Sequence, residues 1–512
     1  MIYQLVNARV FGKPKAELFN ITINDNIISS IYPAGSQSTK TKQINLDGAW
    51  VAPAFIDAHV HLTNTGVQIS GLDLSNCHSY EELALQLKTI ADTGEIVIGH
   101  GWDDSNWARK ADINVFESTS AAIYLSRIDA HSALGSVALL NKIPIVRNTD
   151  GFDPLNPIRR DAHGVLREFA YQSLTDQKRR SFIESAVDSF LANGVYQVHE
   201  MSGPRISSFL DAEQVREICK EKNFQADIWW GELNGQSNAK ALNAVGCGGD
   251  LFVDGSFGSK TAFIKDPYLD GGNGHQYISL DEAIEHILLG YEANLPTSFH
   301  VIGDAAIELA TEAFEAARRT LGNPKYLGLQ NRLEHVELLS DSVCNRLVDL
   351  NIVFSMQPQF SANWAGEKGM YADRIGSNWS GMNPFRVLLN KGAKLVFGSD
   401  APVTSINPWK TIHAAMNMHN DNFSITQKSA FRAHTSGNDR STNDLQVGTV
   451  ANLAVWDVQD WAEQQVDEVR NRWSTDARSF PNDFPNPASE PKCLITITEG
   501  KIAYSRVDDL FA

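Results

Sequence analysis

The sequence predicts an α/β protein: a (β/α)8, TIM-like barrel with a small β-sandwich domain built from both ends of the chain. Three observations support this. Helix-like and strand-like segments alternate through the middle, short strands separated by turns fill the first 50 or so residues, and a second β-rich stretch lies near the end.

At the start, residues 3–11, 18–23 and 27–32 read as strands, broken at Asn24-Asp25-Asn26 and Pro33-Ala34-Gly35. Residues 181–192 then carry Phe182, Ala186, Val187, Phe190 and Leu191 at helical spacing, stop at Gly194, and lead into the extended run 195–198. The unit recurs: helix 281–291 precedes strand 297–300, and helix 304–321 has Ile307, Ala310, Phe314 and Ala317 along one side. Further strands are expected at 332–336, 352–356 and 395–398. So many αβ units favour a closed eight-stranded barrel over an open sheet. At the end, 453–456, 494–498 and 502–504 read as strands around a Pro-rich loop at 481–491 and a turn at Glu499-Gly500-Lys501. Neither terminal piece has enough strands alone, so residues 1–53 and 440–512 are expected to share one sheet domain. Residues 54–439 form the barrel, with loop insertions between 63 and 180.

Composition narrows the function classes. A 512-residue chain with 43% hydrophobic and 21% charged residues can bury a large core, so disorder is not expected. The formal charge of −17, with no basic run longer than Lys178-Arg179-Arg180, argues against nucleic-acid binding, which rests on concentrated positive charge. Residues 1–8 lack a basic segment leading into an apolar run, and no stretch of about 18 apolar residues occurs. No membrane partner is expected, and the expected location is cytoplasmic. Five widely spaced cysteines without a CxxC pair imply neither a disulfide framework nor a thiolate zinc site.

The chemistry is concentrated in a few positions. Within Phe55-Ile56-Asp57-Ala58-His59-Val60-His61-Leu62, alternate strand residues face one way, so His59 and His61 can present two imidazoles to one ion. An isolated His-x-His is more often a pair of ordinary buried histidines. Here the context reverses that reading: His300, His335 and Asp400 each close an apolar strand-like run, where barrel active sites are built.

Asp57-Ala58-His59-Val60-His61, Gly101-Trp102-Asp103, Asp129-Ala130-His131, Val253-Asp254-Gly255-Ser256, His300-Val301-Ile302-Gly303-Asp304, Glu334-His335 and Gly398-Ser399-Asp400-Ala401-Pro402 resemble motifs of the amidohydrolase superfamily. The resemblance is to amidohydrolase family 3, which includes N-substituted formamide deformylase-like proteins, and it covers nearly the whole chain. It implies metal ligands at His59, His61, His300, His335 and Asp400. Such a mixed set suits zinc, one or two ions, with manganese, iron, cobalt or nickel also admissible.

The sequence departs from the resembling proteins where a lysine often precedes the strand ending in Asp-Gly: Gly249-Asp250-Leu251-Phe252-Val253-Asp254 offers Asp250 instead. Glu200, at the end of another strand, is a candidate metal ligand bridging two ions, and Lys260 lies beyond the strand. One metal or two, and the bridge among Glu200, Asp250 and Lys260, stay open. The resemblance also puts Trp102, Asp103 and His131 on loops entering the pocket. Trp102 and Asp103 would contact substrate, and His131 would polarise its carbonyl. Asp304 caps the helix that follows or helps to orient a ligand or substrate.

The implied activity is hydrolysis of an amide-like C–N bond in a small molecule, an N-acyl or N-formyl amine or a related cyclic amide, with Asp400 as general base and acid. A lactone, an amino-substituted ring, or a non-catalytic binding barrel are the alternatives. A homodimer is compatible with the sequence.

Overall fold

The computed structural model describes residues 2–35, 41–437, 445–462 and 484–507. Eight parallel strands follow one another around the central body: Phe55–Val60, Val195–Ser202, Gln225–Trp230, Gly246–Cys247, Ser298–Val301, Arg332–His335, Val353–Met356 and Lys394–Phe397. The first four pair in chain order, and so do the last four. Parallel bridges Cys247–Thr297 and Phe252–His300 join the two sets on one side, and Val60–Ala401 joins them on the other.

That second seam falls at the predicted site. Asp400 N donates to His59 O at 2.8 Å and His61 N to Ala401 O at 2.9 Å, so barrel closure itself sets His59, His61 and Asp400 side by side. The seam requires Gly398, because a Cβ there would stand 2.5 Å from the backbone nitrogen of His59.

The helices form where apolar periodicity and caps agree. Asp304–Leu321 buries Ala306, Ile307, Ala310, Phe314 and Ala317 on one side. Leu280–Ala293 starts at a capping box in which Ser279 and Glu282 satisfy each other's backbone N–H groups. The helix expected at 181–192 begins earlier, at Asp176, because the Thr175 side chain caps Lys178 N and the first turn is polar.

Between the first two barrel strands, the segment expected as loop insertions is largely ordered. It contains a five-stranded sheet in the order Ile158–Arg159, Ser132–Gly135, Ile123–Arg127, Val97–Trp102, Leu72–Asp73. Two apolar clusters flank it, one around Tyr124, Leu139 and Leu166 and the other around Leu74, Leu83 and Trp102, so the insertion carries its own cores.

Strands from both ends of the chain share a sheet. Lys501–Ser505, Lys492–Thr498 and Leu453–Asp457 lead to Trp50–Pro53, then Ile2–Val10, Phe19–Asn24 and Ile27–Pro33, with Lys42–Asn45 also paired to Ile2–Val10. Leu5, Ile21, Ile23, Val51, Leu453, Val455, Ile495 and Ile497 are buried together. The expected boundary at 440 and the start of the Pro-rich loop, 481–483, lie outside the described residues.

Deleting residues 440–512 is expected to give insoluble protein, since Trp50–Pro53 would lose its antiparallel partner and expose a sheet edge. The soluble fraction after lysis measures this, and a normal soluble yield would contradict the shared sheet. Among the described residues no helix is long and apolar enough to cross a membrane.

Candidate metal centre

Four imidazoles and two carboxylates converge at the C-terminal ends of the barrel strands. Asp250 lies in the middle: its Oδ1 is 3.3 Å from His59 Nε2, 3.6 Å from His300 Nδ1 and 3.6 Å from His335 Nε2, and its Oδ2 is 3.2 Å from His61 Nε2. Asp400 Oδ1 lies 3.5 Å from His59 Nε2 and 3.3 Å from His61 Nε2. Three overlapping groups have ligand atoms close enough to hold an ion: His59, His61 and Asp250; His59, His335 and Asp400; Asp250, His300 and His335. His335 and Asp400 have φ of 70° and 54°, turning the chain sharply at the strand ends, a backbone cost of order 1–3 kcal/mol each.

The ring nitrogen facing away from the centre has an acceptor in every case. Glu334 Oε2 accepts from His59 Nδ1 at 2.9 Å, Met201 O is 3.0 Å from His61 Nδ1, Gln357 Oε1 is 2.8 Å from His335 Nδ1, and Gly255 O is 3.4 Å from His300 Nε2. Each acceptor fixes its ring so that the other nitrogen offers a lone pair inward. Glu334 is held in turn by Arg332, a fully buried side chain that also donates to Ala58 O at 2.7 Å and Ser355 Oγ at 2.9 Å.

The inward atoms fit a divalent cation. His59 Nε2, His300 Nδ1, Asp250 Oδ1 and Asp400 Oδ1 are buried and have no hydrogen-bond partner, a costly arrangement unless a cation completes it. The charges agree. Burial alone would lower the His59 pKa, yet Asp250 and Asp400 outweigh it and push it well up. Burial likewise opposes, and the same carboxylates overcome it, in lifting His61 to about 9. The cluster demands positive charge, which a metal supplies to neutral imidazoles.

The other predicted residues are placed as follows. Glu200 is buried beside the cluster rather than in it. Its Oε2 accepts from Leu62 N at 2.8 Å and its Oε1 from Ser202 Oγ at 3.3 Å, and burial raises its pKa to about 8. Lys260 pairs with Asp270, away from the ligands. Trp102 is not on a loop: it ends the strand Val97–Trp102, is fully buried, and donates Nε1 to Leu125 O at 3.1 Å. Asp103 does line the pocket, paired with Arg127. His131 sits in the turn between Ile123–Arg127 and Ser132–Gly135, its ring 5.0 Å from that of His300. Burial lowers its pKa to about 4, so the imidazole is neutral at ordinary pH. Asp304 opens its helix, but Gly303 is the cap residue, and Asp304 Oδ1 accepts from Lys265 N at 3.0 Å.

Sequence reasoning left several contributors without a role. Asp254 locks the turn after His300 by accepting from Ile302 N, Gly303 N and Phe263 N at 2.8 to 2.9 Å. Asp129 accepts from Ser256 Oγ at 2.7 Å and Ser259 Oγ at 2.8 Å, and lies 3.1 Å from Arg127, tying the insertion to the barrel. Asp254 and Asp129 both stood in the quoted motifs, a signal that could have flagged them. Glu337 lines the pocket two residues after His335.

Residues 42–504 match the amidohydrolase family. N-substituted formamide deformylase of Arthrobacter pascens is 24% identical over 490 residues, 83% of this chain and 86% of that protein. Protein LONG AFTER FAR-RED 3 of Arabidopsis thaliana is 26% identical over 415 residues, 73% of this chain and 70% of that protein. Among solved structures, an uncharacterised metal-dependent hydrolase from Pyrococcus furiosus superposes with a TM-score of 0.68 at 24% identity, covering 89% of this chain and 98% of that one, which shows the shared fold. The family match over most of the chain, with the converging histidines and aspartates, places the protein in the amidohydrolase family, as a metal-dependent hydrolase acting on carbon–nitrogen bonds.

Proposed function

We propose that the protein cleaves an amide-like C–N bond in a small molecule, an N-acyl or N-formyl amine or a related cyclic amide. The observation that carries this reading is the set of four buried atoms without a hydrogen-bond partner on His59, His300, Asp250 and Asp400, which belong to overlapping groups of ligand atoms beneath an open pocket. The ligands are His59, His61, His300, His335, Asp250 and Asp400, zinc is the metal their chemistry favours, and Asp250 is the carboxylate shared between two ion positions. A divalent ion held there polarises a carbonyl and brings the pKa of water down to about 7.

The chain's own groups do the rest. Asp400 accepts a proton from the attacking water and returns it to the departing nitrogen, which leaves poorly as an anion. Neutral His131, beside His300, donates a hydrogen bond to the carbonyl oxygen as charge develops on it. Asp103, which lines the pocket, contacts the substrate. On the same footing, residues 1–53 and 440–512 are one supporting domain and residues 54–439 the catalytic body.

Glu200 is assigned a structural part, as acceptor for Leu62 N just after the His-x-His strand. Glu200→Ala is therefore expected to keep the wild-type metal content by mass spectrometry and to lower stability by roughly 1–3 kcal/mol, the cost of an unpaired buried N–H. A fall from about two ions to one would restore Glu200 as the bridge.

The function is tested on zinc- or manganese-loaded protein with a panel of N-acyl amines, lactones, hydantoins and aminopurines. Cleavage of the amides is expected. Turnover confined to lactones, or to loss of ammonia from the aminopurines, would overturn the amide reading while keeping the metal centre.

A further inference from the structure

The pocket over the metal ligands has two lobes that share Asp129, His131, His300, His335, Asp400 and Val403. One, of about 440 Å³, is walled by Phe257, Ile302, Phe360, Trp364, Met370 and Tyr371. The other, of about 360 Å³, is bounded by Asn64, Arg167 and Phe252 and opens onto His61 and Asp250.

Arg167 in the smaller lobe is only 6% exposed. Its guanidinium donates to Arg205 O at 2.6 Å and Ala130 O at 3.3 Å, both uncharged acceptors, and no carboxylate pairs with it among the described residues. Arg127 in the larger lobe differs: Asp103, Asp104 and Asp129 surround it. A guanidinium removed from water without a counter-charge is costly, and its planar fork of donors matches a carboxylate. Asn64, on the helix Leu62–Ser70 that follows His61, is 5% exposed, and its side-chain amide has no hydrogen bond among the described residues. Two buried donors of unspent capacity thus border the same lobe.

Both line the lobe that His61, Asp250 and His300 also line, and for Arg167 the span to the ligands is short. The Arg167 guanidinium carbon is 5.8 Å from the centroid of the Phe252 ring, and that ring is 4.9 Å from the ring of His300.

We infer that Arg167 and Asn64 form a carboxylate-binding subsite, so that the amide substrate is an anion, with its carboxylate in the small lobe and an apolar substituent in the large one. This rests on the hydrolase reading above and narrows its substrate class. Arg167 fixes the carboxylate through paired N–H donors, and the Asn64 amide supplies a further donor.

The test uses two pairs of amides that differ only in the acid group. N-acetylphenylalanine is set against N-acetylphenethylamine, with the carboxylate on the amine side, and N-benzylsuccinamate against N-benzylbutanamide, with it on the acyl side. For zinc-loaded wild type, kcat/KM is expected to favour the carboxylate member of at least one pair. Arg167→Met should cut that ratio about 100-fold, as when a site built for a polar group meets its loss, and Arg167→Lys about 10-fold, since lysine keeps the charge but not the fork. Asn64→Ala should lower the ratio too, and serves if Arg167→Met does not fold.

Binding is measured separately by calorimetry on zinc-loaded Asp400→Asn. A carboxylate preference in binding that Arg167→Met removes, with no member of the panel cleaved by wild type, keeps the subsite and sinks the hydrolase reading for these amides. Cleavage with no preference in either pair, or equal losses on both members in Arg167→Met, overturns the subsite and leaves the hydrolase standing.

Discussion

Asp250→Ala is expected to strip the protein of metal and, with it, of activity. Asp250 touches all four histidines of the centre, at 3.2 to 3.6 Å, whereas Asp400 pairs as closely with two, His59 and His61, at 3.5 and 3.3 Å. Its loss would leave the imidazoles of the first strand and those of the fifth and sixth strands without the carboxylate that joins them. Losing even an outer partner of a metal ligand costs about 10–100-fold in affinity, so a fall beyond about 100-fold is expected here. Mass spectrometry of the purified variant measures it. The melting temperature gives a second reading, because a ligand that binds only the folded state stabilises by about 4 kcal/mol at a thousand times its Kd. Chelation should lower the melting temperature of wild type and leave that of Asp250→Ala unchanged. Wild-type metal content in the variant would remove Asp250 from the ligand set.

Asp400→Asn should have a comparable effect on turnover through a different cause. Asparagine keeps the shape and one oxygen for the metal, but it can neither take up nor return a proton. Positioned acid–base catalysis contributes about 10²–10⁴-fold, so kcat should fall by that order with metal content retained. Measuring both together separates the roles. If kcat and metal fall in step, Asp400 acts as a ligand alone; near-normal kcat would refute its catalytic assignment. Its position supports the proton-carrying role: Asp400 Oδ1 has no hydrogen-bond partner, and the residue lines the open pocket as well as the cluster.

Local pattern was enough to read much of this protein. A strand exposes alternate residues on one face, so His59 and His61 had to point together, and His300, His335 and Asp400 at the ends of apolar runs had to gather on one rim once those runs became barrel strands. Helix Asp304–Leu321 matches its expected limits because its apolar stripe and its flanking glycines at 303 and 322 agree. Each of these depends on neighbours a few residues apart.

What the sequence left open depends on contacts between distant segments. Glu200 and Asp250 are both acidic residues near barrel strand ends, and nothing local separates them. Glu200 turns to Leu62 N, whereas Asp250 follows Gly248 and Gly249, whose φ of 143° and 80° bend the chain off the regular strand path and into the centre. A Cβ at position 248 would stand 2.2 Å from Ser298 O, so that bend needs the neighbouring strand as well as the glycine. The same holds for Trp102 and His131, whose surroundings are set by the folding of the insertion into a sheet of its own rather than loops.

The sequence alone therefore determined the barrel class and the hydrolytic chemistry, and it singled out His59, His61, His300, His335 and Asp400, which the folded chain brings together in groups able to hold an ion. Tertiary structure decided which carboxylate stands at the middle of them, which acceptors fix each imidazole, and that Arg167, with no carboxylate partner among the described residues, borders the pocket. The reason is range. Strand and helix faces follow from residues two to four apart, whereas the bond from His59 to Glu334 spans 275 positions and exists only once the barrel has closed.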